Sequence, residues 1–215
     1  MSVERASELP LVAIYADESC LGNGREGDNP GGAAGVIEHL SPATARLTRW
    51  DYWISEPATT NNRMALRSAI EAFRVVGRKG GIFRVLFTSD SQYLVKGMTE
   101  WVHGWAGRGW RRSGGEIENL ALWTELVDAA TPHLLQWEWV RGHDGHPQNE
   151  YANDLAVVAA RTQSSSDGAR SSEFDTWLGV QRAKKRVKAE PAPFPADKPF
   201  SAARPLPRTA VRAVT

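Results

Sequence analysis

Cysteine is nearly absent: Cys20 is the sole thiol in 215 residues. One thiol excludes an internal disulfide framework and any thiolate zinc cluster, and it fits a reducing compartment. Long apolar runs are missing too, and none approaches the roughly 18 residues of a membrane-spanning helix. The opening Met-Ser-Val-Glu-Arg-Ala-Ser-Glu has no charged-then-apolar signal order. A cytoplasmic monomer without membrane contact is the expectation.

Net charge is almost lacking as well, at +1, but it is unevenly spread. From Arg161 onward there are 11 Lys/Arg against 5 Asp/Glu, a balance of +6, and residues 1–160 carry a balance of −5. An acidic body with a basic tail suits a cation site in the body and an anion contact from the tail. A tail that is merely solvated fits equally well.

What is present is a 41% hydrophobic composition, enough for one core-forming domain plus an appendage. The stretch Leu-Val-Ala-Ile-Tyr-Ala-Asp17 reads as a buried strand that ends in a carboxylate. A second apolar strand, Arg-Val-Leu-Phe-Thr-Ser-Asp90, repeats the pattern. A buried carboxylate is costly without a cation, and two aspartates delivered to one sheet make an oxygen-donor site suited to magnesium. Each aspartate could equally cap the helix that follows it.

Between these strands, residues 33–37 and 45–54 alternate and connect briefly, so the first three strands should form an antiparallel meander. Helices are predicted at 63–76, from about Ser91, at 116–130 and at 149–162, with a strand at 134–140. A strand–helix–strand crossover implies parallel pairing for the later strands. The expected domain covers residues 9–162, after an N-terminal extension of residues 1–8. Residues 163–215 read as a linker, a possible short helix within 173–188 and a basic, proline-rich disordered tail.

The segments Tyr-Ala-Asp17-Glu-Ser-Cys-Leu-Gly-Asn23, Thr-Thr-Asn-Asn-Arg-Met64, Ser-Asp90-Ser-Gln-Tyr, Trp-Glu-Trp-Val-Arg-Gly-His143-Asp-Gly-His-Pro and Asn-Glu-Tyr-Ala-Asn-Asp154-Leu-Ala occur in this order. Together they resemble ribonuclease H type I over roughly residues 9–161. The resemblance implies an α/β, RNase H-like fold: a mixed five-stranded sheet, three strands in a meander plus parallel strands, with helices on both faces. It also implies endonucleolytic cleavage of the RNA strand of RNA–DNA hybrids with two Mg2+ ions, Mn2+ being an alternative.

On that resemblance Asp17 and Asp90 are catalytic metal ligands, and His143 moves protons from a mobile loop. The family's fourth carboxylate falls on Asn153, with Asp154 one residue later, so both are candidate ligands. The family's second carboxylate, a Glu directly after Asn-Asn-Arg-Met, is replaced by Ala65. Glu71 lies about 240° further around that helix, and Glu18 should point to the opposite strand face from Asp17. Neither is expected to substitute. The chain is therefore expected to be an impaired ribonuclease H, or alternatively a catalytically silent hybrid-binding protein.

Asn23, Thr60, Asn61, Asn62 and Gln92 resemble the family's hybrid-contacting amides and hydroxyls, which read minor-groove edges and 2′-hydroxyls; turn and cap chemistry is their structural alternative. The segment 97–115 resembles the family's basic protrusion, with Trp105, Arg108, Trp110, Arg111 and Arg112 as its substrate-binding candidates and Trp101 as a core residue. His146 is expected to hold the loop before Pro147, and Cys20 to be a packed thiol.

Overall fold

The computed structural model describes residues 9–22, 29–142, 144–196 and 199–209. Strands β1 (Leu11–Cys20), β2 (Gly31–Leu40) and β3 (Leu47–Glu56) form the antiparallel meander. On its other side β1 pairs in parallel with β4 (Arg84–Ser89), and β4 pairs in parallel with β5 (Leu134–Trp139). The sheet has six strands, not the expected five. Arg170–Ser171 (β6) joins the free side of β3 opposite Trp50 and Asp51. Two residues are too few to carry a periodic signature in the sequence.

Alternation along β1 divides the core in two. Val12, Ile14 and Ala16 pack with Val85 and Phe87 under α1 (Asn61–Gly77) and α4 (Leu120–Ala130). Ala13 and Tyr15 pack with Val36 under α5 (Pro147–Thr162) and α6 (Phe174–Ala183). Helices thus cover both faces. Gln92–Lys96 (α2), a π-helical turn at Gly97–Trp101 and Val102–Ala106 (α3) form one continuous stretch beside α4. Gly97 is required there, because a Cβ would drive into the Trp123 ring.

Helix boundaries move for local reasons. α5 begins two residues earlier than expected because Pro147 suits a first helical position. His146 caps it, Nδ1 accepting from the Asn149 N–H at 3.4 Å. α4 begins at Leu120, not 116, because Asn119 has φ +57° and cannot continue a right-handed helix.

The proline-rich tail expected to be disordered is instead laid against the sheet over its described residues. Val187 and Phe194 pack with Tyr15 and Tyr151. The Ser201 N–H donates to Gln136 Oε1 at 2.9 Å, and the Ala203 N–H to the Leu135 carbonyl at 2.6 Å. The latter satisfies an edge-strand acceptor on β5, which composition alone cannot reveal. Among the described residues no helix is long and apolar enough to cross a membrane.

Candidate active site

The parallel register sets the site. Ala16 lies opposite Ser89, the last residue of β4. Beyond that pair β1 continues unaccompanied on this side, so Asp17, Glu18 and the following Asp90 share the space where β4 stops. One carboxylate oxygen from each of Asp17, Glu18 and Asp90 lies within 4.8 Å of the other two.

This corrects the expectation for Glu18. Alternation does send it to the face opposite Asp17, the face that carries Ala16 and Ala65. At the end of a neighbouring strand, however, both faces open onto the same space, so the two adjacent carboxylates converge there with Asp90. Ala65 is fully buried within the α1 packing and offers no competing side chain. A residue six places along α1 was never needed.

Electrostatics mark this cluster as built for a cation. Burial chiefly, then the Asp90 charge, pushes the Asp17 carboxyl up to about 8, against the pull of the Glu18 N–H, which donates to Asp17 Oδ1 at 2.7 Å. Glu150, in the first turn of α5, adds to the upward push. Burial and the neighbouring Asp17 and Asp90 charges raise Glu18 as well. Three enclosed carboxylates repel one another unless positive charge joins them. An all-oxygen donor set fits a hard divalent ion such as Mg2+ or Mn2+.

Supporting residues lock the cluster in place. The Trp139 indole N–H donates to the Asp90 backbone carbonyl at 2.9 Å. Gly142 lies so near that a Cβ there would strike the Asp90 carboxylate. Asn149, buried at the start of α5, donates from Nδ2 to the Ala16 carbonyl at 3.3 Å. A Cβ on Gly32 would collide with the α5 backbone at Ala156, so glycine lets this helix close onto β2. Sequence reasoning missed Trp139, Gly142 and Asn149, although all three lie within the motifs that carry the resemblance.

The remaining expected residues fall into distinct groups. Asn153 stands one turn beyond Asn149 on the same side of α5. Asp154 is exposed and turned to α6, where its Oδ2 accepts from Trp177 Nε1 at 2.8 Å. That corrects Asp154 as a candidate ligand: 100° of helix rotation separates it from its neighbour. His143 and Asn23 lie outside the described residues.

Thr60 caps α1, its Oγ1 accepting from the Arg63 N–H at 3.3 Å, and its side chain is at the surface. Asn61 and Asn62 follow in the first turn, and Asn61 Oδ1 is a buried acceptor without a protein donor. Gln92 is exposed at the start of α2. Trp105 and Trp110 depart from expectation. Both are buried in the core, Trp105 with its ring 5.6 Å from Trp123 of α4 and Trp110 beyond the end of α3 with its backbone N–H donating back to the Trp105 carbonyl. Arg108, Arg111 and Arg112 remain exposed around them. Cys20 is half-buried, its thiol pushed up to about 11 by burial and then by Glu18 and Glu56, which leaves it protonated and inert.

Residues 10–161 match the RNase H family profile. The chain is 40% identical over 161 residues to a ribonuclease H of Bradyrhizobium sp. (strain ORS 278), covering 73% of this chain and 96% of that one. It is 42% identical over 149 residues to a ribonuclease H of Pelobacter propionicus, covering 69% and 83%. Among solved structures, LC9-RNase H1, described as a type 1 RNase H with the type 2 active-site motif, superposes with a TM-score of 0.87 at 56% identity. That match covers 96% of this chain and 98% of the other, so it extends through the C-terminal segment.

Proposed function

The chain belongs to the ribonuclease H family, and from that premise we propose that it hydrolyses the RNA strand of RNA–DNA hybrids at the Asp17–Glu18–Asp90 cluster. The observation that carries this reading is the convergence of the three carboxylates within 4.8 Å at the end of β4. LC9-RNase H1 combines a type 1 enzyme with a type 2 active-site motif. We read the exchange of a helix carboxylate at Ala65 for a strand carboxylate at Glu18 as the same kind of departure. The expected impairment rested chiefly on Ala65, and Glu18 within reach of the cluster supports hydrolysis over the silent-binder alternative.

Asp17, Glu18 and Asp90 would hold Mg2+, with the Asn153 carbonyl oxygen as a further donor. Bound there, the ions would supply a polarised water and neutralise charge on the leaving oxygen. The chain's own residues do the rest. Trp139 and Gly142 fix the direction of the Asp90 carboxylate. Glu18, on the α1 side, is placed to accept from a ribose 2′-hydroxyl, the group that separates RNA from DNA. Thr60, Asn61, Asn62 and Gln92 serve as minor-groove and phosphate contacts. Arg108, Arg111 and Arg112 hold backbone phosphates further along. His143, with an imidazole suited to neutral pH, accepts the proton that the attacking water gives up and returns it to the departing oxygen. We place the enzyme in the cytoplasm, working as a monomer.

The test is incubation of the purified chain with an end-labelled hybrid in Mg2+. Cuts confined to the RNA strand, and lost in a chelator, are expected. An intact RNA strand in both Mg2+ and Mn2+ would overturn the reading.

A further inference from the structure

We infer that the basic run at residues 182–188 is a second phosphate-binding surface for the duplex, beside the loop that carries His143 and apart from the Arg108–Arg112 edge. The inference rests on reading the chain as a hybrid-cutting enzyme, and it names where that enzyme holds substrate away from the cut. It begins from charge. Five of seven residues are cationic: Arg182, Lys184, Lys185, Arg186 and Lys188. Arg182 is paired with Glu190 at 2.8 Å. The other four are exposed, and among the described residues no carboxylate pairs with them.

The run is anchored rather than dangling. On its N-terminal side, Trp177 and Gln181 of α6 both bond to Asp154 on α5, at 2.8 and 3.5 Å. In its middle, Val187 is 8% exposed and packed in the α5–α6 core, which holds the flanking cations outward. On its C-terminal side the Gln148 amide clamps the backbone of Ala192. Nε2 donates to the Ala192 carbonyl at 2.8 Å, and Oε1 accepts from the Ala192 N–H at 3.1 Å. Gln148 is itself fully buried. Both ends are therefore fastened to the helix that carries Asn153.

Placement follows from these anchors. Ala189, Glu190 and Ala192 form one wall of a groove whose other wall includes Arg141, Asp144 and His146. Seven residues separate Trp177, bonded beside Asn153, from Lys184, about 10 Å at helical rise. The run thus lies between the Asp154 contact on α5 and the groove lined by Arg141, Asp144 and His146. Four like charges held on a fixed backbone repel one another, and an apposed polyanion relieves that repulsion. The surrounding body is acidic, so the run is a local attractor for a phosphate backbone.

The experiment compares the wild-type chain with Lys184→Ala/Lys185→Ala/Arg186→Ala/Lys188→Ala and with the charge-keeping Lys184→Arg/Lys185→Arg/Lys188→Arg. Binding is measured across salt in Ca2+, and cleavage in Mg2+, on a short and a long hybrid. We expect the alanine variant to raise Kd and KM on the long hybrid on the order of tenfold at low salt. It should flatten the slope of log Kd against log salt by about 2 to 3, with kcat and the short hybrid unchanged. The arginine variant should match the wild type. A wild-type slope and Kd for the alanine variant, with its circular dichroism and Tm intact, overturns the inference while leaving the hydrolytic reading standing. A wild-type chain that cuts no hybrid, but whose salt-dependent binding still falls in the alanine variant, overturns the hydrolytic reading and leaves the surface standing. An equal loss on both hybrids overturns the inference as well, because it means the cations act at the cut itself.

Discussion

The Trp139 indole N–H donates to the backbone carbonyl of Asp90 at 2.9 Å, tying the end of β5 to the residue that follows β4. Trp139 is 46% exposed, so the ring is not held for burial. Its donor fixes the peptide from which the Asp90 carboxylate projects. Trp139→Phe keeps the ring and removes the donor, a change of about 0.5–1.5 kcal/mol. We expect kcat on an RNA–DNA hybrid to fall up to roughly tenfold. The Mg2+ concentration for half-maximal rate should rise, and Tm should shift little. Unchanged kcat and unchanged Mg2+ dependence would mean that the hydrogen bond does not position Asp90.

Glu18 and Ala65 face the same layer of the core, and this leads to a paired substitution. Glu18→Gln keeps the shape and removes one of the three charges. It should lower kcat on the order of a thousandfold, about 4 kcal/mol of transition-state stabilisation. Adding Ala65→Glu to Glu18→Ala returns a carboxylate from α1 and should recover a large part of the lost rate. Ala65→Glu alone forces a further charge into a fully buried position, so it should lower Tm and cut no faster than wild type. Steady-state cleavage and thermal melts on the wild type and the four variants check this. Full activity in Glu18→Gln would remove Glu18 from the site.

Much of this arrangement is legible in the sequence, and the parts that are not have physical causes. The meander, the parallel crossover and both aspartates follow from apolar periodicity and connection length. Glu18 does not, because strict alternation assigns it to the wrong side. Only the early end of β4 at Ser89, opposite Ala16, reveals that both faces share one opening. Trp105 and Trp110 look like substrate contacts beside arginines, yet both are packed into the core, Trp105 against Trp123 of α4. Asp154 is the acid that composition offers. A rotation of one residue gives it to Trp177 instead, an α6 residue whose packing no local pattern announces. The tail is proline-rich and polar, and its order comes from long-range acceptors such as the Leu135 carbonyl.

Phe174 ties the C-terminal segment to the body. It is fully buried, its ring 5.4 Å from Tyr151 and 4.8 Å from the Arg49 guanidinium carbon. Beside it the Asp51 carboxylate accepts from the Glu173 N–H at 3.2 Å and from the Tyr151 hydroxyl at 2.5 Å. Buried groups of the body therefore depend on residues beyond 161. Phe174→Ala should cost about 3–5 kcal/mol, lowering Tm by roughly 10 °C in a chain of this size. Differential scanning calorimetry checks it. A shift under 2 °C would make the C-terminal segment an independent appendage.

His133 gives the stability a signed pH dependence. It is 7% exposed, and its Nδ1 accepts from the Phe83 N–H at 3.3 Å, which requires the neutral ring. Burial lowers its pKa from the usual 6.5. Below that value the unfolded chain binds the proton more readily than the folded one, so this contribution to stability is full above about pH 6.5 and is lost as pH falls. The raised Asp17 carboxyl acts in the opposite sense. In metal-free protein its contribution is present at low pH and is lost as pH rises towards about 8. The two are separated by comparing the wild type with His133→Gln in denaturant melts from pH 5 to 8. The Asp17 contribution is common to both proteins and cancels in the difference. The wild type should lose its advantage over the variant progressively below pH 6.5, and saturating Mg2+ should remove the decline above it in both. A stability difference that is flat across this range would mean that the His133 pKa is the same in the folded and the unfolded chain, against its burial and the hydrogen bond it accepts.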